Sequence, residues 1–296
     1  MTILVLIGAV VMALVTLRAS VVRRVERADD ARPRNSDGVV LGAEGFLLDR
    51  AGAPAVLLLH GAGDTPQTLR ELGTSLQEQG FAVSAPLLPG HGRSVRDFSR
   101  VTARSWQTAA LAAYDEMRIG RPWVAIVGLS MGGALGVLTA AARPDAAALV
   151  LLAPYLDMPA TLRLGAWLGG AARVVSPYYS SEDARSIRDP AAAARGLAYG
   201  VFTPAAARAL RDTADAAARA LSRVKAPTLI VQSERDNRVA TAVAARALEQ
   251  LGAAEKRLEW VSDGGHVITV DFGKARVFAL VAGWLRTHGA DALLPS

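Results

Sequence analysis

Hydrophobic and polar positions divide this chain into one apolar block, one polar stretch and a long alternating body. The block "TILVLIGAVVMALVTL", residues 2–17, carries no charged side chain. As a helix it spans about 24 Å at 1.5 Å per residue, short of a ~30 Å hydrocarbon core, and continuing to Val22 brings it to adequate length. The stretch "RVERADDARPRNSDGVVLG", residues 24–42, is polar and turn-rich and predicts a linker. From residue 43 on, short apolar runs alternate with segments of helical spacing. Strands are predicted in "APAVLLLHGAG" (53–63), "FAVSAPLLPGHGRS" (81–94), "PWVAIVGLS" (122–130), "AAALVLLAP" (146–154), "APTLIVQSERD" (226–236) and "EKRLEWVSDGGH" (255–266). Helices are predicted over 65–80, 105–120, 131–144, 241–252 and 272–289. Such alternation implies an α/β fold, a mostly parallel sheet with helices on both faces. Residues 155–223 break the rhythm. They are rich in Ala and Arg and predict a helical cap inserted over the sheet's C-terminal edge.

Charge sharpens the reading of the ends. The net charge is +6, nearly all the basic residues are arginine, and they are scattered among alanines and acids. A nucleic-acid partner would want a basic stripe, so none is expected. Arg18, Arg23, Arg24 and Arg27 follow the apolar block. The positive-inside rule then predicts a single-pass anchor over 1–23 with the body on the cytoplasmic side. The rival is a cleaved signal peptide and a secreted protein, but neither a positive n-region nor a clear A-x-A-like site is seen. The chain has no cysteine, and its four histidines lie in no cluster of ligand spacing, so no metal site or cofactor is expected.

Chemistry concentrates at "GLSMGG", residues 128–133. A strand enters it and a helix leaves it. A sharp turn there lifts the Ser130 hydroxyl clear of the sheet edge, in a backbone conformation tolerable only between residues with almost no side chain, here Gly128 and Gly132. This is the nucleophile-elbow pattern of the α/β-hydrolases. The base on that fold follows the acid in the chain. His60 and His91 precede the elbow and His288 lies at a polar helix end, so His266 in "SDGGHVITVD" is the candidate. Asp236, at the end of the preceding strand, is the preferred acid, with Glu234 its near competitor. Asp263 and Asp271 are expected to shape the His266 loop. The oxyanion donors are expected to be the backbone N–H of Met131, after the nucleophile, and of Ala62 in "HGAG". His60 is expected to brace that loop.

With these residues placed, the chain resembles the α/β-hydrolase superfamily over about 53–287. Within it, "LLLHGAGDTPQTLRELGTSLQEQGFAVSAPLLPGHG", "VGLSMGGAL" and "DGGHVITVD" resemble the bacterial carboxylesterase and monoacylglycerol lipase group. The resemblance implies a nucleophile Ser130, base His266, acid Asp236, oxyanion donors Ala62 and Met131, and a small cap forming the acyl pocket. It implies hydrolysis of short- to medium-chain carboxylic esters, a small-molecule ester or lipid. The alternatives are thioesterase, acyltransferase or cofactor-free perhydrolase chemistry on the same site, or a catalytically silent, membrane-tethered binding protein. The group often carries an aromatic residue after its His-Gly pair. Here Ala62 stands there, which predicts a roomier wall.

Overall fold

Five of the predicted apolar runs are strands buried on both faces, as a sheet covered by helices requires. The computed structural model describes residues 2–121, 123–158, 176–181 and 186–293. Its main sheet has seven strands: β1 (Phe46–Leu48), β2 (Ala55–Leu59), β3 (Ala82–Ala85), β4 (Val124–Leu129), β5 (Leu149–Leu152), β8 (Thr228–Ser233) and β9 (Lys256–Val261). Their spatial order is β1-β3-β2-β4-β5-β8-β9. All neighbours pair in parallel except β1, which runs antiparallel to β3. A separate hairpin pairs β6 (Tyr179–Ser180) with β7 (Val201–Phe202).

Alternate strand residues serve two cores. Leu57, Leu59, Ile126, Leu149 and Ile230 face one side, against α4 (Ala103–Arg118), α5 (Met131–Ala142), α7 (Pro204–Ala220) and α8 (Thr241–Gln250). Val56, Leu58, Ala125, Val127 and Val231 face the other, against α2 (Arg70–Glu78) and α9 (Lys274–Leu293). The fold is thus the mostly parallel sheet with helices on both faces that the alternation predicts, and the α/β-hydrolase arrangement that the resemblance implies. Two short helices, α3 (Val95–Phe98) and α6 (Pro190–Ala194), complete the set.

Two expectations change. The stretch expected as cap, 155–223, includes a helix that belongs to the core: the small face of α7, with Ala206, Ala209, Thr213, Ala214, Ala217 and Ala220 buried, packs against α5 and α4. Residues 159–175 and 182–185 of that stretch lie outside the described residues. The second change is at the other end. Helix α1 (Thr2–Asp30) runs well past Val22, and Val39, Val40 and Ala43 beyond it are buried with Leu87 and Leu197 beside them. Residues 24–42 are therefore a packed extension of the body and not a loose linker. Their apolar Val39-Val40 pair, inside a polar stretch, is the physical reason.

Candidate active site

Ser130 stands alone between β4 and α5 with φ 55° and ψ −114°. A side chain held at positive φ costs about 1–3 kcal/mol. The surroundings hold it there: its N–H donates to Leu152 O at 2.8 Å, and its carbonyl accepts from Tyr155 N at 3.0 Å. The flanking glycines are demanded by close approach. A Cβ on Gly128 would lie 2.1 Å from Gly132 O, and one on Gly132 would lie 1.9 Å from Leu59 O.

The residues expected from opposite parts of the chain meet here. Ser130 Oγ lies 2.8 Å from His266 Nε2, and His266 Nδ1 lies 2.8 Å from Asp236 Oδ2. Ser130 and His266 are 9% and 8% exposed, so the hydroxyl and imidazole are largely shielded from water. Asp236 accepts further from Gln232 Nε2 (2.8 Å), Arg238 N (2.7 Å) and Val239 N (2.9 Å). Burial pushes its carboxyl up. The His266 hydrogen bond and charge, with the two backbone donors, outweigh burial and hold it below the ordinary carboxylate value. Glu234, the competitor, is exposed and extends β8 by donating its N–H to Val261 O.

Asp271 shapes the His266 loop as expected. Its carboxylate accepts from Gly265 N (2.7 Å), Arg188 N and Asp189 N (both 2.8 Å), pinning the loop to the segment before α6. Asp263 sits at the surface beside Gly273. His288 lies far along α9, with its Nε2 3.3 Å from Glu255 Oε1.

The "HGAG" loop crosses beside the elbow: a Cβ built on Gly61 would lie 3.5 Å from Ser130 Cβ and 3.9 Å from Asp64 Cβ. Met131 opens α5, so its N–H has no acceptor within the helix. Ala62 is partly exposed. Two buried histidines brace the loop. His60 Nε2 accepts from Leu88 N at 3.1 Å, and His91 Nε2 accepts from Gly63 N at 3.0 Å. Desolvation drives His60 down to about 4 and His91 well below its ordinary value, so both rings are neutral acceptors. Sequence reasoning missed four residues that build this site: Asp64, Gln232, Ser233 and Ser186. Asp64 is raised to about 6 by desolvation, against a hydrogen bond from Thr68 Oγ1. Ser233 Oγ donates to Gly264 O at 2.6 Å, tying β8 to the His266 loop. Ser186 O accepts from His266 N and Val267 N. The polar pair Gln232-Ser233 at the end of a fully buried strand was the available signal.

The family model described as Serine aminopeptidase, S33 (Hydrolase_4) matches residues 52–272. A thermostable monoacylglycerol lipase of Bacillus sp. (strain H-257) is 28% identical over 81% of this chain and 92% of its own. A carboxylesterase of Bacillus subtilis (strain 168) is 25% identical over 75% of this chain and 88% of its own. Among solved structures, one from work on the metagenome-derived lipolytic enzymes LipS and LipT superposes with TM-score 0.78 at 28% identity, covering 84% of this chain and 100% of the other. The Paleococcus ferrophilus monoacylglycerol lipase, at 23% identity and TM-score 0.70, covers 83% of this chain and 99% of its own, a likeness of fold. With its fold, its elbow and a family match across most of its length, this chain belongs to the Hydrolase_4 family of α/β serine hydrolases.

Proposed function

We propose that the protein is a lipase or esterase that cleaves short- to medium-chain carboxylic esters, monoacylglycerols among them, through an acyl-enzyme on Ser130. The observation that carries this reading is the 2.8 Å Ser130–His266 contact continued by the 2.8 Å His266–Asp236 contact. Ser130 Oγ attacks the ester carbonyl carbon while His266 Nε2 takes its proton. The carbonyl oxygen becomes an oxyanion, received by the N–H groups of Met131 and Ala62. The tetrahedral intermediate collapses, the C–O bond to the alcohol breaks, and the imidazolium returns its proton to the departing alkoxide. Water, deprotonated by His266, then attacks the acyl-serine, and the acid leaves as Ser130 regains its proton. Asp236 accepts the Nδ1–H throughout, which fixes the tautomer and stabilises the imidazolium. The lipase and carboxylesterase names of the relatives favour an ester over the amide in the family's description. The test is Ser130→Ala: kcat on a simple ester falls about 10⁴-fold or more, and fluorophosphonate labelling disappears. Retention of full activity by that variant would sink the assignment.

We infer also that α1 anchors the protein in a membrane with the body on the cytoplasmic side. Val5–Asp30 is long and apolar enough to cross, with mean hydropathy 2.3 and its apolar window unburied, and the arginines lie at its body end. Full-length protein should stay with membranes through alkaline carbonate. Its release there would exclude a spanning helix.

A further inference from the structure

The last turns of α1 do not stand clear of the body. Partial or full burial recurs at Arg18, Val22, Val25, Glu26 and Asp29, a single stripe of the helix. At its end the contacts are specific. Asp29 accepts from Val95 N at 3.1 Å and pairs with Arg34 at 3.1 Å. Glu26 pairs with Arg96 at 2.7 Å and accepts from Tyr178 Oη at 2.9 Å. Arg32 donates to Leu197 O at 2.6 Å.

These partners belong to the rim of the site. Tyr178 adjoins β6, and Leu197 leads to Tyr199, whose N–H donates to Gly63 O at 3.0 Å in the oxyanion loop. Phe202 of β7 lies against Gly63 from the other side, its ring 3.3 Å from a Cβ built there. Two hydrogen bonds, from Arg32 to Leu197 and from Tyr199 to Gly63, joined by the short chain between Leu197 and Tyr199, therefore connect the foot of α1 to the loop beside Ser130. Residues 2–17 carry no charge and give about 24 Å of apolar length. A hydrocarbon core is about 30 Å, so a spanning helix uses its length as far as Val22. That brings the docked foot, with exposed Arg23, Arg24 and Arg27, to the headgroup layer.

Resting on the anchor reading above, we propose that residues 18–34 form a docking joint that holds the rim of the site against the bilayer surface, so that the enzyme draws its substrate, a single-chain amphiphilic ester, from the adjoining leaflet. The joint specifies a substrate by where it resides. A solute reaches Ser130 whether or not the joint is closed, whereas a lipid in the leaflet needs the rim held at headgroup depth.

The test uses full-length protein in vesicles of phosphatidylcholine and phosphatidylglycerol, with the medium-chain ester 1-lauroylglycerol in the bilayer and p-nitrophenyl butyrate in the water. The double variant Arg34→Ala, Arg96→Ala removes the two close ion pairs and leaves the buried Asp29 with only its longer 3.9 Å contact to Arg32. The expected result is a loss of about fivefold or more on the bilayer ester as local positioning is lost, with the soluble-ester rate within about twofold of wild type. The charge-reversed pair Glu26→Arg, Arg96→Glu should recover most of the bilayer rate. Equal loss on both substrates would mean a merely structural joint and overturn the proposal. An unchanged bilayer rate, with the wild type still floating with the vesicles, would overturn it and leave the anchor reading standing. A wild type that does not float would end both.

Discussion

Single side chains decide whether the site works, and three of them make separate predictions. Asp236→Asn keeps the shape but donates where it should accept, so the Nδ1 proton loses its partner. We expect kcat to fall about 10⁴-fold, with the fold retained by circular dichroism. Gly128→Ala meets the Gly132 carbonyl 2.1 Å away, with backbone on both sides unable to yield. It should cost about 3–5 kcal/mol in urea unfolding or prevent folding. Asp64 is the opposite case. Desolvation raises it to about 6, so at neutral pH its ionisation works against folding. Asp64→Asn keeps an acceptor for Thr68 and should raise the urea midpoint at pH 7.5, with the gain fading toward pH 4. The elbow serine and its glycines were legible because their spacing is local. Asp64 was not, since nothing in "HGAGDTP" says that the carboxyl will be buried beside an imidazole.

Among the elements, the bracing of the "HGAG" loop has a pH signature. Unfolded, His60 and His91 take up protons near pH 6.5. Folded, His60 resists until about 4 and His91 is likewise held well below its ordinary value, because both are buried acceptors. Between those values the unfolded chain binds more protons, so stability falls as pH drops from about 6.5 toward 4. Asp236, depressed in the fold, adds a loss in the same direction at lower pH. Asp64 runs the other way, its contribution present at low pH and lost as pH rises through 6. Two histidines and Asp236 outweigh it, and the urea midpoint should be lower at pH 5 than at pH 7.5. Helix α7 carries the second prediction at this scale. Its alanine face lets it approach α5 closely, and Ala214 has no exposure. Ala214→Leu should cost about 1–3 kcal/mol by overpacking. The alanines at 206, 209, 214, 217 and 220 have helical spacing in the sequence. Composition alone did not distinguish a core helix from a cap, because alanine suits either.

For the molecule as a whole, the question is how the apolar helix and the hydrolase body are joined. Intact mass measured on protein extracted from membranes should include residues 2–22. A mature form beginning beyond Val22 would support a cleaved signal. A chain that keeps α1 also keeps Glu26 and Asp29 in their contacts with Arg96, Arg34 and Val95.

The sequence by itself determined the parallel sheet and the elbow, and it pointed to Ser130, Asp236 and His266, which the fold brings within hydrogen-bond distance of one another. Apolar periodicity, glycine spacing and chain order are local or one-dimensional quantities. Tertiary structure alone decided that Ser186 meets the His266 loop, that α7 is core, and that the polar stretch after the apolar block packs on the body. These depend on which group faces which partner across more than 40 residues of chain, as with Glu26 and Tyr178 or Asn237 and Ser186. Such pairings arise only when the layers close.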